Sequence, residues 1–518
     1  MDSQPAARPA NLPPPPRDAW ALDRSLLHGI AWTSSAKWVS QLLTWVSTLI
    51  VARLLTPEDY GLVGMAAIYL GLITLLSEFG LGSAVVTLRE LSEDQVAQIN
   101  GLSLLFGVVS LLLSCAVAIP LGRFFHAPQL PAVVVAMSGA FVITAFKIVP
   151  FSLLQRELRF KVLALVEAAR ALVLAVSMIG FALLGLRYWT LVIGGLLSST
   201  LSTAATLMLR RHRLAWPRAQ SLRDALTFSG HILTGRLTWY AYSNADFLVA
   251  GRILGKTALG LYEFGWTLAN LPIEKITTLV TQVTPAFFSA VQKDHAALRR
   301  YLLRITEALA FVTFPASLGM ALVAPDFVPL ALGDKWLGAV APLQLLALSA
   351  AFRSVTPLLA HVMNVIGESR LGMRYGVVCA VVLPAAFYFC GERWGTVGLA
   401  AVWVLVYPLL MLPAYHRVLK KIELATRTYF AAMWPALSVS LLMGVAVVAV
   451  RAVAGPYWSR GMRLGAEVGV GAVVYLGMCV MLHRERIRAF RSALQSLRAA
   501  DRPGGEALES APHIGGRT

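Results

Sequence analysis

Residues 430–450 read FAAMWPALSVSLLMGVAVVAV and contain no charged residue. At 1.5 Å per residue, a helix of about 20 residues crosses a hydrocarbon core of about 30 Å. The apolar residues of this stretch would lie on all sides of such a helix, whereas a strand of a membrane barrel alternates over about ten residues. The stretch therefore predicts a membrane-spanning α-helix.

Similar stretches recur along almost the whole chain of 518 residues, of which 57% are hydrophobic and 14% charged. This composition is too apolar for a soluble domain. The sequence predicts an all-α integral membrane protein with about fourteen transmembrane helices. Divided at charged or turn-rich segments, the predicted spans are 27–53, 60–88, 98–120, 129–153, 162–184, 188–209, 226–251, 258–285, 305–330, 338–365, 371–390, 395–416, 428–450 and 464–482.

Lys and Arg are distributed unevenly between the two sides of these spans. Roughly 29 lie in the tails and loops on the side of both termini, against roughly 10 on the other side, which predicts that both termini are cytoplasmic in a bacterial inner membrane. Residues 1–24 are predicted to be a disordered tail and 484–518 a basic tail. Because the basic residues are spread over several loops, the net charge of +18 indicates contact with membrane lipids rather than nucleic acid.

An internal repeat is the most informative local signal. Arg53-Leu54-Leu55 followed by Gly61-Leu62 recurs as Arg252-Ile253-Leu254 followed by Gly260-Leu261, at a constant offset of about 199 residues. The offset spans six helices, so both copies have the same orientation. We therefore predict a lobe of six helices at 25–215, a second at 216–420, a central cleft between them, and two additional spans within 421–483.

Cations inside the predicted spans are expensive, at about 2.5 to 3.5 kcal/mol each near a helix centre. Lys37 and Arg236 are separated by the repeat offset, which would place both at the same depth of corresponding helices. Two fixed cations in a cleft would suit an anionic group such as a pyrophosphate. The other candidates for this substrate-binding role are Lys147, Lys275 and Arg353. Alternatively, each cation extends to the interface or pairs with an acid. Arg170 is expected to be neutralised by Glu167, three residues earlier on the same helix.

Acids inside the spans suggest a second role. Glu78, Asp246 and Glu263 are candidates to bind the H⁺ or Na⁺ that would drive a transport cycle, and the alternative is that they only balance the cations. The four cysteines fall in apolar stretches without metal-ligand spacing. Neither a metal nor an organic cofactor is predicted.

Three segments resemble Wzx-type polysaccharide flippases of the multidrug/oligosaccharidyl-lipid/polysaccharide exporter superfamily. They are residues 51–62, VARLLTPEDYGL; residues 77–84, SEFGLGSA; and residues 154–160, LQRELRF. The resemblance covers roughly residues 25–420. It implies two six-helix lobes with alternating access and an undecaprenyl-pyrophosphate-linked oligosaccharide as cargo, whose pyrophosphate Lys37 and Arg236 would contact. A polysaccharide polymerase and export machinery are the implied protein partners.

Two rival functions are also compatible with the sequence. A drug/cation antiporter of the same superfamily would favour a cleft dominated by acids. A membrane enzyme such as a polysaccharide polymerase or ligase would need an exposed catalytic domain or a long external loop, and no predicted external loop exceeds about fifteen residues. The sequence therefore favours a transporter over an enzyme.

Overall fold

The computed structural model describes residues 41–88, 90–218, 222–454 and 457–484, and every regular element in these ranges is helical. Ten of the helices are long and apolar enough to cross a membrane, so the chain is a multi-pass membrane protein. It forms two compact units, Met1–Gly260 and Leu261–Thr518.

The first unit begins with apolar helices joined by short turns. They are α1 (Gln41–Leu54), α2 (Pro57–Glu78), α3 (Leu81–Thr87), α4 (Glu93–Phe124), α5 (Leu130–Arg156), α6 (Phe160–Leu183) and α7 (Trp189–Leu209). α4 packs against α5, and α7 packs against both α5 and α6. The unit continues through α8 (Arg223–Ser243), α9 (Ala245–Val249) and a π-helical turn at Ala250–Leu254 to the start of α10 (Gly255–Ala290).

Sequence signals for helix ends are realised at α2. Thr56 caps its start, because the Thr56 side chain accepts from the Asp59 N–H while the Asp59 carboxylate accepts from the Thr56 N–H. Pro57 occupies the first turn, where a missing N–H costs least. The predicted span 60–88 is interrupted, because Phe79 and Gly80 both have positive φ, 43° and 68°, and helix α3 starts anew after them.

The second unit contains the rest of α10, then α11 (His295–Ala331), a 3-10 turn at Asp334–Ala339, α12 (Val340–Val365), α13 (Ser369–Lys421), α14 (Thr426–Ala454) and α15 (Arg460–Leu482). Its largest apolar core joins α11, α12, α13 and α14 around fully buried side chains such as Leu302, Leu358 and Tyr429.

Helix α13 is two helices, as its 53 residues suggest. Gly395 has φ 61° and ψ −143°, a conformation open almost only to glycine. The rings of Phe387 and Trp403, 16 positions apart, lie 5.5 Å from each other, whereas a straight helix would separate them by about 24 Å. The chain therefore folds back at Gly395, between the predicted spans 371–390 and 395–416.

The predicted count of fourteen spans stays a prediction. The first predicted span begins outside the described residues, and α8 and α10 carry too many polar residues to be counted among the ten apolar helices. The predicted lobe boundaries at residues 215 and 420 also stay predictions.

Candidate functional site

Two predicted site residues of the first unit lie close together. Arg236 on α8 interacts electrostatically with Glu78, the last residue of α2. One turn from Arg236, the Tyr240 hydroxyl donates to the Ile68 carbonyl at 2.7 Å. Gly71 makes room for this ring, since a Cβ there would lie 2.2 Å from the Tyr240 oxygen. The polar helix α8 is thus fixed against α2, and its cation faces an acid.

Lys147 lies in a different cluster of the first unit, built by three helices. Its Nζ on α5 donates to Glu167 Oε1 on α6 at 3.0 Å and to Ser202 Oγ on α7 at 2.6 Å. Arg170 Nε is 2.8 Å from the other Glu167 oxygen, so the predicted pairing of Arg170 with Glu167 is confirmed. Glu167 therefore compensates both cations, and the role of Lys147 in binding a substrate stays a prediction.

Asp246 is an acid predicted to bind a coupling ion. It is fully buried and lies in the short helix α9, directly after α8. Its Oδ1 accepts the N–H of Phe247 at 2.9 Å in the first turn of α9. A carboxylate is favourable at this position because it faces the unpaired N–H groups of the helix start. This contact gives Asp246 a structural role as well as the predicted one.

Arg353 is the predicted site residue with the most defined surroundings. It projects from α12 in the second unit, and its guanidinium carbon lies 4.0 Å from the ring centroid of Trp266 on α10 and 5.4 Å from that of Trp403 on α13. Its Nη2 donates to Asn270 Oδ1 at 2.9 Å, while the Asn270 amide donates to the Trp266 carbonyl at 2.8 Å. Two indoles and one amide thus contact the guanidinium.

Glu263 shares a helix face with this cluster. Trp266 and Asn270 follow it by three and seven positions on α10, a spacing that aligns side chains along one side of a helix. Glu263 Oε2 is buried and has no hydrogen-bond partner among the described residues. A bound cation would neutralise this carboxylate, and the coupling role of Glu263 stays a prediction.

Two predicted residues cannot be placed. Lys37 lies outside the described residues, and so does the side chain of Lys275. The predicted pairing of Lys37 with Arg236 at equal depth therefore stays a prediction. Within the described part of the chain, no group of three or more His, Cys, Asp or Glu could hold a metal ion.

A buried ion network in the second unit escaped the sequence reasoning. Arg451 on α14 forms a bidentate pair with Glu467 on α15, at 2.8 and 3.0 Å, and donates to the Leu322 carbonyl at 2.6 Å. Asp326 on α11 accepts from both Arg451 and Arg463. Asp326 and Glu467 fall inside the predicted spans 305–330 and 464–482. An acid inside a span is itself a signal of a buried ion pair, so both residues could have been found from the sequence.

Glycines of the two repeat copies meet within the first unit. A Cβ on Gly61 would lie 1.6 Å from the Lys256 carbonyl oxygen, and a Cβ on Gly260 would lie 1.9 Å from the Pro57 carbonyl oxygen. Beside this crossing of α2 and α10, Lys256 Nζ is 2.5 Å from Glu58 Oε1. The two helices can approach this closely only because neither glycine has a side chain.

Apolar helices that enclose charged side chains define a polytopic membrane protein with polar groups among its spans. Residues 50–341 match the family model described as "Polysaccharide biosynthesis protein", which is more than half of the chain. The chain therefore belongs to this family.

Curated relatives agree with this membership. The chain is similar to the lipopolysaccharide biosynthesis protein WzxC of Escherichia coli (strain K12), with 24% identity over 82% of this chain and 89% of that protein. It is also similar to the teichuronic acid biosynthesis protein TuaB of Bacillus subtilis (strain 168), with 22% identity over 89% of this chain and 96% of that protein.

Solved structures share the fold. The lipid II flippase MurJ, in an inward closed conformation, superposes with a TM-score of 0.73 at 14% identity, over 88% of this chain and 99% of that chain. An inward-facing multidrug resistance MATE family transporter of the MOP superfamily gives a TM-score of 0.60 at 16% identity, over 74% of this chain and 96% of that chain. The predicted resemblance to polysaccharide flippases of this superfamily is confirmed, and so is the prediction of a transporter rather than an enzyme.

Proposed function

We propose that the protein flips an undecaprenyl-pyrophosphate-linked oligosaccharide repeat unit from the cytoplasmic to the periplasmic leaflet of a bacterial inner membrane. It would do so by alternating access of two six-helix lobes among fourteen spans, with both termini in the cytoplasm. The product would enter the synthesis of exopolysaccharide, capsule or O-antigen, with a polysaccharide polymerase and export machinery as partners.

The observation that carries this proposal is the cluster around Arg353. The Arg353 guanidinium lies against two indoles inside a helical bundle, and its planar fork matches a phosphate oxygen pair. Arg236 in the first unit supplies a second embedded cation. The names of the relatives, which concern lipopolysaccharide and teichuronic acid synthesis, and the lipid II flippase with the same fold support a lipid-linked sugar as cargo.

Ion coupling is assigned, within the same proposal, to Glu263, with Asp246 and Glu78 as further candidates. Glu263 is favoured because its buried Oε2 has no hydrogen-bond partner in the described ranges and lies on the helix face that also carries Trp266 and Asn270. Binding of H⁺ or Na⁺ would remove an unfavourable buried charge. Glu263→Gln is expected to leave transport insensitive to the ion gradient, whereas a parental response would remove Glu263 from this role.

The same fold in a multidrug transporter makes a drug/cation antiporter the second candidate. An antiporter for cationic cargo would be impeded by a fixed Arg353, and its removal would raise rather than abolish efflux. The two functions therefore respond to the same substitution in opposite directions.

The test is complementation of a bacterium that lacks its own exopolysaccharide flippase, with polymer and accumulated lipid-linked precursor measured together. Arg353→Ala and Arg236→Ala are expected to reduce polymer at least ten-fold and to accumulate precursor, and Lys37→Ala is expected to do the same. Arg353→Lys should retain part of the activity, because it keeps the charge without the fork. Arg170→Ala is the matched control, since Glu167 remains paired with Lys147.

Equal expression is verified by immunoblot of the membrane fraction. Parental polymer levels in both Arg353→Ala and Arg236→Ala would refute the proposed pyrophosphate contacts. Failure of the parent chain to restore polymer, together with export of a cationic dye, would favour the antiporter.

A further inference from the structure

A cavity of about 590 Å³ lies at the turn between α4 and α5 in the first unit. Its lining includes the basic side chains of Arg123 and His126 and the apolar side chains of Ile119, Pro128 and Pro131. The cavity therefore combines basic groups with an apolar surface at the ends of two membrane-spanning helices.

A third basic group, Arg252, contacts one of the residues that line the cavity. Arg252, in the π-helical turn before α10, places Nη1 at 2.7 and 3.2 Å from the two ring nitrogens of His126. Its guanidinium carbon lies 5.2 Å from the centroid of the Phe124 ring and forms a cation–π contact with it. We call Arg123, His126 and Arg252 the basic triad.

Backbone conformation contributes to the triad. His126 has φ 53°, a left-handed conformation that is uncommon outside glycine and is most often adopted by Asn, Asp and His. The turn is closed by the Ala127 N–H, which donates to the Gly122 carbonyl at 3.0 Å. The imidazole is therefore held beside Arg252 by the turn itself.

The charge balance of the triad differs from that of its neighbours. At the same end of the unit, Lys256 pairs with Glu58 at 2.5 Å and Arg187 with Asp59 at 3.4 Å. In the described ranges, no carboxylate forms an ion pair with any member of the triad. A bound anion would stabilise two basic side chains that are in direct contact without an acid.

The position of the triad indicates which kind of anion would suit it. Arg123 lies in the last turn of α4, an apolar helix long enough to cross the membrane, and the side chains of Ile119 and Phe124 on the same helix are exposed. We expect the end of such a helix to lie where hydrocarbon gives way to lipid headgroups. A phosphate with attached chains would place its charge on the triad and its first methylenes on the apolar side chains that line the cavity.

We propose that the basic triad and the adjoining cavity bind the phosphate group of a membrane lipid. The phosphate has two sources with the same chemistry, a resident anionic phospholipid or a polyprenyl pyrophosphate. Assignment of the second source rests on the proposed function, whereas the site itself does not.

The test uses the full chain purified in detergent, with lipid adducts counted by native mass spectrometry. The probes are phosphatidylglycerol, undecaprenyl pyrophosphate and, as an uncharged lipid of similar length, diacylglycerol. Arg123→Gln combined with Arg252→Gln is expected to weaken binding of a phosphate lipid about ten-fold, because two charge-assisted hydrogen bonds are lost. Diacylglycerol binding should not change.

Two further variants separate a site from a general effect of charge. Arg123→Lys combined with Arg252→Lys keeps both charges and should restore most of the binding. Arg159→Gln removes an exposed basic residue from the turn between α5 and α6 and should bind as the parent does.

The outcomes are distinct. If the double Gln variant loses binding of both phosphate lipids, the site binds a lipid phosphate without preference. Loss of phosphatidylglycerol binding alone assigns the site to a resident lipid. Loss of undecaprenyl pyrophosphate binding alone assigns it to the transport cycle. Unchanged binding of both lipids in the double Gln variant overturns the proposal. Because the phosphatidylglycerol measurement does not involve transport, it remains decisive even if complementation fails.

Discussion

Substitution of Gly61 tests how closely α2 and α10 approach each other. In Gly61→Ala the new Cβ would lie 1.6 Å from the Lys256 carbonyl oxygen and 2.6 Å from its carbon. Ordinary contact between such atoms begins near 3.4 Å, so the helices must separate by close to 2 Å at this point. The obstacle is backbone, which cannot rotate away as a side chain can.

The magnitude follows from the cost of overpacking, about 1 to 3 kcal/mol. If the close approach belongs to one state of a transport cycle, this cost falls on that state alone. The ratio of molecules in which α2 and α10 are in close contact to molecules in which they are separated is then expected to fall about 5- to 150-fold. Gly260→Ala should act in the same direction, because its Cβ would lie 1.9 Å from the Pro57 carbonyl oxygen.

The assay measures the proximity of Glu58 and Lys256, whose side chains pair at 2.5 Å beside the crossing. Both residues are changed to Cys in a chain whose four native cysteines are replaced, and the rate of reaction with a short bifunctional thiol reagent is recorded. Gly61→Ala should lower this rate. Gly139→Ala is the control, because nothing lies within 4 Å of a Cβ at that position.

Thermal unfolding of each variant in detergent separates a shifted equilibrium from a damaged fold. A parental cross-linking rate in Gly61→Ala, with unchanged thermal stability, would refute the reasoning. Such a result would mean that the two backbones do not approach as closely as the structure indicates.

Three further predictions concern the stability of single contacts, each measured by thermal unfolding in detergent. Arg451→Ala leaves the carboxylate of the fully buried Glu467 without its bidentate partner and should cost about 3 to 5 kcal/mol. Gly395→Ala forces a side chain into a conformation with φ 61° and ψ −143°, at a cost of about 1 to 3 kcal/mol. Tyr240→Phe removes the hydrogen bond to the Ile68 carbonyl and should cost about 0.5 to 1.5 kcal/mol.

Matched controls accompany these variants. Arg460→Ala removes an exposed pair with Asp334, which should change stability by less than about 1 kcal/mol. Gly469→Ala and Gly461→Ala have open space at the new Cβ and should not destabilise the chain. If Arg451→Ala unfolded at the same temperature as Arg460→Ala, the buried network would not stabilise α14 and α15. A parental unfolding temperature in Gly395→Ala or Tyr240→Phe would contradict the corresponding contact.

The membrane helices could be predicted because their signal is local. An apolar run of about 20 residues has few alternatives to a membrane-spanning helix, and the turns between the runs contain the expected polar residues. The pairing of Glu167 with Arg170 was predictable for the same reason, since residues three positions apart on a helix are neighbours. In contrast, the contact of Lys147 with Glu167 crosses from α5 to α6 and depends on packing that no local pattern specifies.

The candidate site was predictable only in part. The cost of a charge in hydrocarbon placed Arg353 among several candidate cations, but the two indoles that contact it come from helices far apart in the sequence. The break at Phe79 was missed because a left-handed aromatic residue has no sequence signature. Its consequence is that Glu78 ends a helix instead of lying within one.

The internal repeat has a structural counterpart where α2 crosses α10. Gly61 and Gly260 are separated by the repeat offset, and so are Pro57 and Lys256. Gly61 approaches Lys256, and Gly260 approaches Pro57, so exchanging the two copies turns one contact into the other. Reciprocal contacts of this kind are the property of a two-fold interface, in which residue i meets j and j meets i. A chance match between two apolar segments would not bring equivalent atoms together in this reciprocal way, so the offset found in the sequence reflects a local two-fold relation between the copies.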